Sequence, residues 1–185
     1  IRRCNNMNGI RKKLFILAVI LQCFVLLAMI TRQEMLLRTG TKVMLKCVPV
    51  DPRSLFSGDY VRLNYEISDI EDSKLPGEKR SYREGDTIYV ALVKNRTGNF
   101  YSAAETSVSI DKLAGRYPVI IKGTVESPYI NLHIRYGIES YFVPQNEGKD
   151  IGMDMADVSA EVSVAEDGRS ALSRLFFSGR EVKFY

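Results

Sequence analysis

Hydrophobic positions along this chain follow two patterns. From residue 14 to residue 30 they run almost unbroken, seventeen residues in which Gln22 is the only strongly polar side chain. After Gly40 they alternate instead: Val43, Leu45 and Cys47 are interleaved with Lys42, Met44 and Lys46. The first pattern predicts a continuous apolar helix, and the second a half-buried strand with a period of two. Further strand patterns cover residues 60–68, 86–94, 100–109, 119–127, 130–136, 158–165 and 171–177, with shorter ones at 140–143 and 181–185. Turn signals separate them: Ser57-Gly58-Asp59, Asn95-Arg96-Thr97-Gly98, Glu166-Asp167-Gly168-Arg169 and Ser178-Gly179-Arg180. Residues 69–85 read as an exposed connection, residues 111–115 as one helical turn and residues 148–155 as a short helix. The expected fold is mainly β: one N-terminal transmembrane helix, then an antiparallel β-barrel or sandwich of about eight or nine strands.

The apolar run approaches the ~20 residues that span a bilayer once Ile10 and Thr31 are counted in. Arg11-Lys12-Lys13 abuts its start, with Arg2 and Arg3 upstream. The cations that follow it (Arg32, Arg38, Lys42, Lys46) are dispersed and lie beside Glu34. That asymmetry holds the N-terminus in the cytoplasm. A cleaved signal would need a small-x-small site before Arg32, which is not evident. A lipoprotein box at Ile20-Leu21-Gln22-Cys23 would place an oversized Gln22 before the cysteine. The expected organisation is a cytoplasmic basic N-terminus (residues 1–13), a signal-anchor helix (14–31), a helical stalk (32–40) with Gly40 as its stop, and an extracytoplasmic β domain (41–185). That places the C-terminal domain on the side of the membrane away from the cytoplasm.

Composition narrows the chemistry. The net charge of +4 is spread over both signs with no long basic run, so nucleic acid is not an expected partner. Three cysteines make no disulfide framework, because Cys4 precedes the apolar run and Cys23 lies inside it. Cys47 is then alone in the outer domain, and a small buried strand residue is its expected role.

The most informative stretch is residues 48–67, Val-Pro-Val-Asp-Pro-Arg-Ser-Leu-Phe-Ser-Gly-Asp-Tyr-Val-Arg-Leu-Asn-Tyr-Glu-Ile. Val48-Pro49 and Asp51-Pro52 impose extended or turning backbone. After the turn at Gly58, the residues Val61, Leu63, Tyr65 and Ile67 share one strand face. Gly58-Asp59-Tyr60-Val61-Arg62-Leu63-Asn64-Tyr65 matches G-D-Y-x-x-L-x-Y and resembles the membrane-anchored bacterial family named after that motif. Asp51-Pro52-Arg53 upstream and Tyr136-Gly137-Ile138-Glu139-Ser140-Tyr141-Phe142-Val143-Pro144 downstream resemble the same family. Gln145 departs from its pattern, standing where an acidic residue is expected. The resemblance covers roughly residues 10–183 and brings no activity with it. It implies one membrane anchor, an extracytoplasmic domain and association with a multi-spanning membrane protein.

The motif blocks supply the expected binding residues: Asp51, Arg53, Gly58, Asp59, Tyr60, Leu63 and Tyr65 from the first, Tyr136, Gly137, Glu139, Tyr141, Phe142 and Pro144 from the second. Their shared aromatic and acidic character predicts that the two blocks meet in space, where they form a partner or ligand surface or shape two tight turns. A catalytic role is not expected, nor a metal or cofactor. His133 is the sole histidine, and it reads as a strand side chain with a local hydrogen bond. A faint likeness to type I signal peptidases offers Ser54 or Ser57 as nucleophile with Lys122 as base, which requires a buried lysine. The function expected is an accessory or assembly subunit docking to another membrane or envelope protein, with homo-oligomers allowed. The alternative is a ligand- or glycan-binding envelope domain, using Tyr60, Tyr136 or Tyr141 as stacking surfaces.

Overall fold

In the computed structural model the described residues are 4–48, 60–71, 82–95, 98–128, 131–142 and 158–182. The chain divides into two units, residues 1–35 and 36–185. The first is a single helix, α1 (Cys4–Thr39), whose last turn belongs to the second unit. Its stretch Arg11–Thr39 is long and apolar enough to cross a membrane, and from residue 11 to residue 35 every side chain is exposed.

The second unit is β structure. Its strands are β1 (Thr41–Val48), β2 (Tyr60–Arg62), β3 (Asn64–Tyr65), β4 (Asp69–Ile70), β5 (Thr87–Lys94), β6 (Tyr101–Ser107), β7 (Val119–Ser127), β8 (Leu132–Arg135), β9 (Ser140–Phe142), β10 (Val158–Val164), β11 (Ser170–Phe177) and β12 (Arg180–Glu181). One five-stranded sheet runs β12-β11-β10-β1-β3 and another β4-β8-β7-β5-β6, with β2 and β9 forming a separate ribbon. All these pairings are antiparallel. The sheets do not close into a barrel, so the architecture is sandwich-like. Strands β1 and β8 follow the alternation closely, and β5, β7 and β11 over part of their length. The expected strand over residues 60–68 does not form as one piece. It breaks into β2, β3, a 3-10 turn at Glu66–Ser68 and β4. Burial there departs from a period of two, since Ile67 and Ser68 are both buried. The short helix expected at 148–155 lies outside the described residues.

Inward-facing Val43 and Leu45 of β1, Ile88, Val90 and Leu92 of β5, Ile121 and Val125 of β7, Ile134 of β8 and Val162 of β10 build one core. Cys47 joins it, and burial pushes its thiol up to about 12. Strand β10 is buried on both faces. Of its outward residues, Glu161 and Ser163 meet polar partners, and Ser163 also donates to Leu37 O in the last turn of α1 at 3.4 Å. There Lys42 Nζ donates to Leu37 O (2.7 Å), Ser163 Oγ (2.6 Å) and Ser173 Oγ (3.0 Å), while both Glu161 carboxylate oxygens accept from Arg174 at 3.1 and 2.7 Å. Gly40 ends the helix, but not through a left-handed φ. A side chain there would collide with Leu36 O at 2.6 Å and crowd Ser163.

Candidate functional site

The two motif blocks meet. Strand β2 pairs with β9 in the register Tyr60 to Phe142, Val61 to Tyr141 and Arg62 to Ser140. The ladder continues past its end, where Leu63 N–H donates to Glu139 O at 2.7 Å. Between β8 and β9 the chain turns at Gly137, whose φ of +80° is a conformation glycine adopts without a steric penalty. Glu139 closes that turn by accepting the Tyr136 N–H on Oε1.

Two tyrosines then lock the junction reciprocally. Tyr65 of the first block donates its hydroxyl to Ile138 O of the second at 2.7 Å. Tyr136 of the second donates to Ile67 O, just beyond the first, at 2.6 Å. Both rings are buried in the core, where an unpaired phenol would be costly. Burial raises both phenols well above their ordinary range. For Tyr65 the Cys47 thiol and then the Glu139 carboxylate add to the effect, and for Tyr136 Glu139 and then Asp69 do.

Against this junction lies a groove of about 390 Å³ whose walls include Arg62, Ser68, Glu126, His133, Arg135 and Glu139. Alternation on β8 makes it: Leu132 and Ile134 point into the core, so His133 and Arg135 point out. His133 is held between carboxylates, with Nδ1 2.6 Å from Asp69 Oδ1 and Nε2 3.5 Å from Glu126 Oε2. The other Glu126 oxygen meets Arg135 Nε at 3.3 Å, and Asn64 donates to Asp69 at 3.4 Å. Ser68 is different. Its hydroxyl is buried, at 1% residue exposure, and has no hydrogen-bond partner among the described residues. Chemically the groove offers donors and acceptors of both charge signs. The imidazole is already engaged on both nitrogens by carboxylates. Among the described residues no group of three or more His, Cys, Asp or Glu is placed to hold a metal ion.

Of the residues singled out from sequence, Leu63, Tyr65, Tyr136, Gly137 and Glu139 stand together at the junction. Tyr60, Tyr141 and Phe142 contribute backbone pairing to it. Asp51, Arg53, Gly58, Asp59, Pro144 and Gln145 lie outside the described residues, as do Ser54 and Ser57. Tyr136 is packed and offers no open stacking face. Lys122 is exposed on β7, so it lacks the burial that a Ser–Lys dyad demands. His133 does make the hydrogen bond expected of it, but to a neighbouring strand rather than locally. Sequence reasoning passed over Arg62, Ser68, Glu126 and Arg135. The alternation Leu132-His133-Ile134-Arg135 marks the outward pair on β8, whereas nothing in the sequence marks Ser68.

No curated protein and no solved structure matches the chain. A family model does, that of the GDYXXLXY protein, over residues 22–175. That match takes in the C-terminal half of α1, both motif blocks and the strands from β1 through most of β11, and the chain belongs to the GDYXXLXY family.

Proposed function

We propose that this chain is a single-pass membrane protein whose extracytoplasmic β domain docks onto another membrane or envelope protein as an accessory or assembly subunit. The observation that carries the reading is the exposed apolar length of α1. Leu14, Phe15, Ile16, Leu17, Phe24 and Leu27 are all more than half exposed. Each would gain roughly 1.5–3 kcal/mol on leaving water, which makes the lipid core their natural solvent. Arg11, Lys12 and Lys13 at its start favour a cytoplasmic N-terminus in the inner membrane. A domain tethered in this way acts on what is near the membrane, and a multi-spanning neighbour is the partner that family membership favours.

Membrane extraction and copurification test this together. Alkaline carbonate should leave the protein in the pellet, and protease added from the periplasmic side should reach the β domain. Mild-detergent purification from native membranes should bring down a second membrane protein in fixed proportion. Recovery of the chain solely as a lone monomer would overturn the docking reading, and release by carbonate would overturn the anchor.

A further inference from the structure

We propose that the groove beside the motif junction binds a small zwitterion, an amino acid or short peptide carrying one carboxylate and one ammonium group. This inference is independent of the docking reading. It follows from which groups in the groove are already engaged and which are not. Glu126 is shared between His133 and Arg135, and Asp69 between His133 and Asn64. Three functions remain unengaged among the described residues. The Arg62 guanidinium has no carboxylate. Glu139 uses one oxygen on the Tyr136 N–H and leaves the other without a partner. The Ser68 hydroxyl is buried with nothing to bond.

The Ser68 hydroxyl is closed to solvent, so a molecule in the groove meets Arg62 and Glu139. That pair, one cation and one anion in the same groove, is complementary to a dipolar molecule rather than to a net anion or cation. The guanidinium takes the ligand carboxylate through paired N–H donors, and Glu139 takes the ammonium. About 390 Å³ is at the small end of ligand sites and admits a molecule of one to three residues.

The test is isothermal titration of the full chain in detergent micelles with alanine and with trialanine. N-acetyl-trialanine, trialanine amide and N-acetylglucosamine serve as comparison titrants. At least one of alanine and trialanine should bind saturably, and which one binds distinguishes a free amino acid from a peptide. Blocking either end of trialanine should weaken it by about tenfold or more, the loss of one charge-assisted contact. Arg62→Gln, an exposed substitution that leaves the core untouched, should cost a similar factor, with unchanged thermal unfolding as the folding control. No saturable heat from alanine or trialanine, equal binding of the blocked peptides, unaltered affinity in Arg62→Gln, or preference for N-acetylglucosamine would each overturn the proposal.

Discussion

Two polar clusters sit on the same β unit and handle burial in opposite ways. Around β10, Lys42 has three ammonium protons and spends all three, on Leu37 O, Ser163 Oγ and Ser173 Oγ, while Glu161 gives both oxygens to Arg174. Beside the motif junction, Ser68 is buried as deeply as Ser163 and spends nothing. A closed network stiffens the framework and leaves no group for a ligand. An open one gives up stability, roughly 1–3 kcal/mol per unsatisfied buried group.

The largest effect is expected where the framework itself is cut. Tyr136→Ala removes a buried ring and its bond to Ile67 O, and should destabilise the β unit by ~3–5 kcal/mol, read from denaturant unfolding of the purified protein. Keeping the rings while deleting the hydroxyls, in Tyr65→Phe or Tyr136→Phe, should cost ~1–3 kcal/mol each. Cys47 pairs with Tyr65 across β1 and β3 and reports the same event. In a Cys4→Ser, Cys23→Ser background its thiol should resist labelling at pH 8 in the parent and label faster in the Phe variants. Because the folded thiol sits at about 12 against an ordinary 9.0, its burial contributes stability below pH 9. That contribution is lost as pH climbs through 9 toward 12, so labelling should accelerate over that window.

Smaller effects sharpen the comparison. Glu161→Gln weakens the closed network, but Arg174 is about half exposed, so a loss of ~1 kcal/mol is expected. Ser68→Ala in the open one should raise stability by ~1 kcal/mol, the lower end of the cost of an unsatisfied buried group, since no bond is broken. Equal losses at Glu161 and Ser68 would erase the distinction between the two regions.

Much of the framework was legible because runs of strand-forming residues bounded by turn signals mark strands even where burial does not strictly alternate. Residues 119–127 were read as a strand and are β7 without adjustment, and the turn at Gly168 takes the φ of +85° that its hairpin needs. The apolar run was equally plain, and the helix runs on past it to Thr39, as expected of a stop at Gly40. The segment 60–68 was not legible as it folds. Ile67 and Ser68 fall in a 3-10 turn between two short strands, and neither Gly nor Pro marks that break in the sequence. For the site, the meeting of the two blocks could be expected from their shared composition. The groove could not, because its character depends on which polar atoms remain unmatched after every strand is placed.

The crossed hydroxyls of Tyr65 and Tyr136 act on backbone oxygens 73 and 69 positions away along the chain. Neither phenol is satisfied until the strands on both sides of that long excursion have arrived, so this clasp is expected to shut late and all at once. Once shut it works like a two-key latch: releasing one tyrosine leaves the other still fastened, and the motif ribbon stays in place through fluctuations that would open a single bolt.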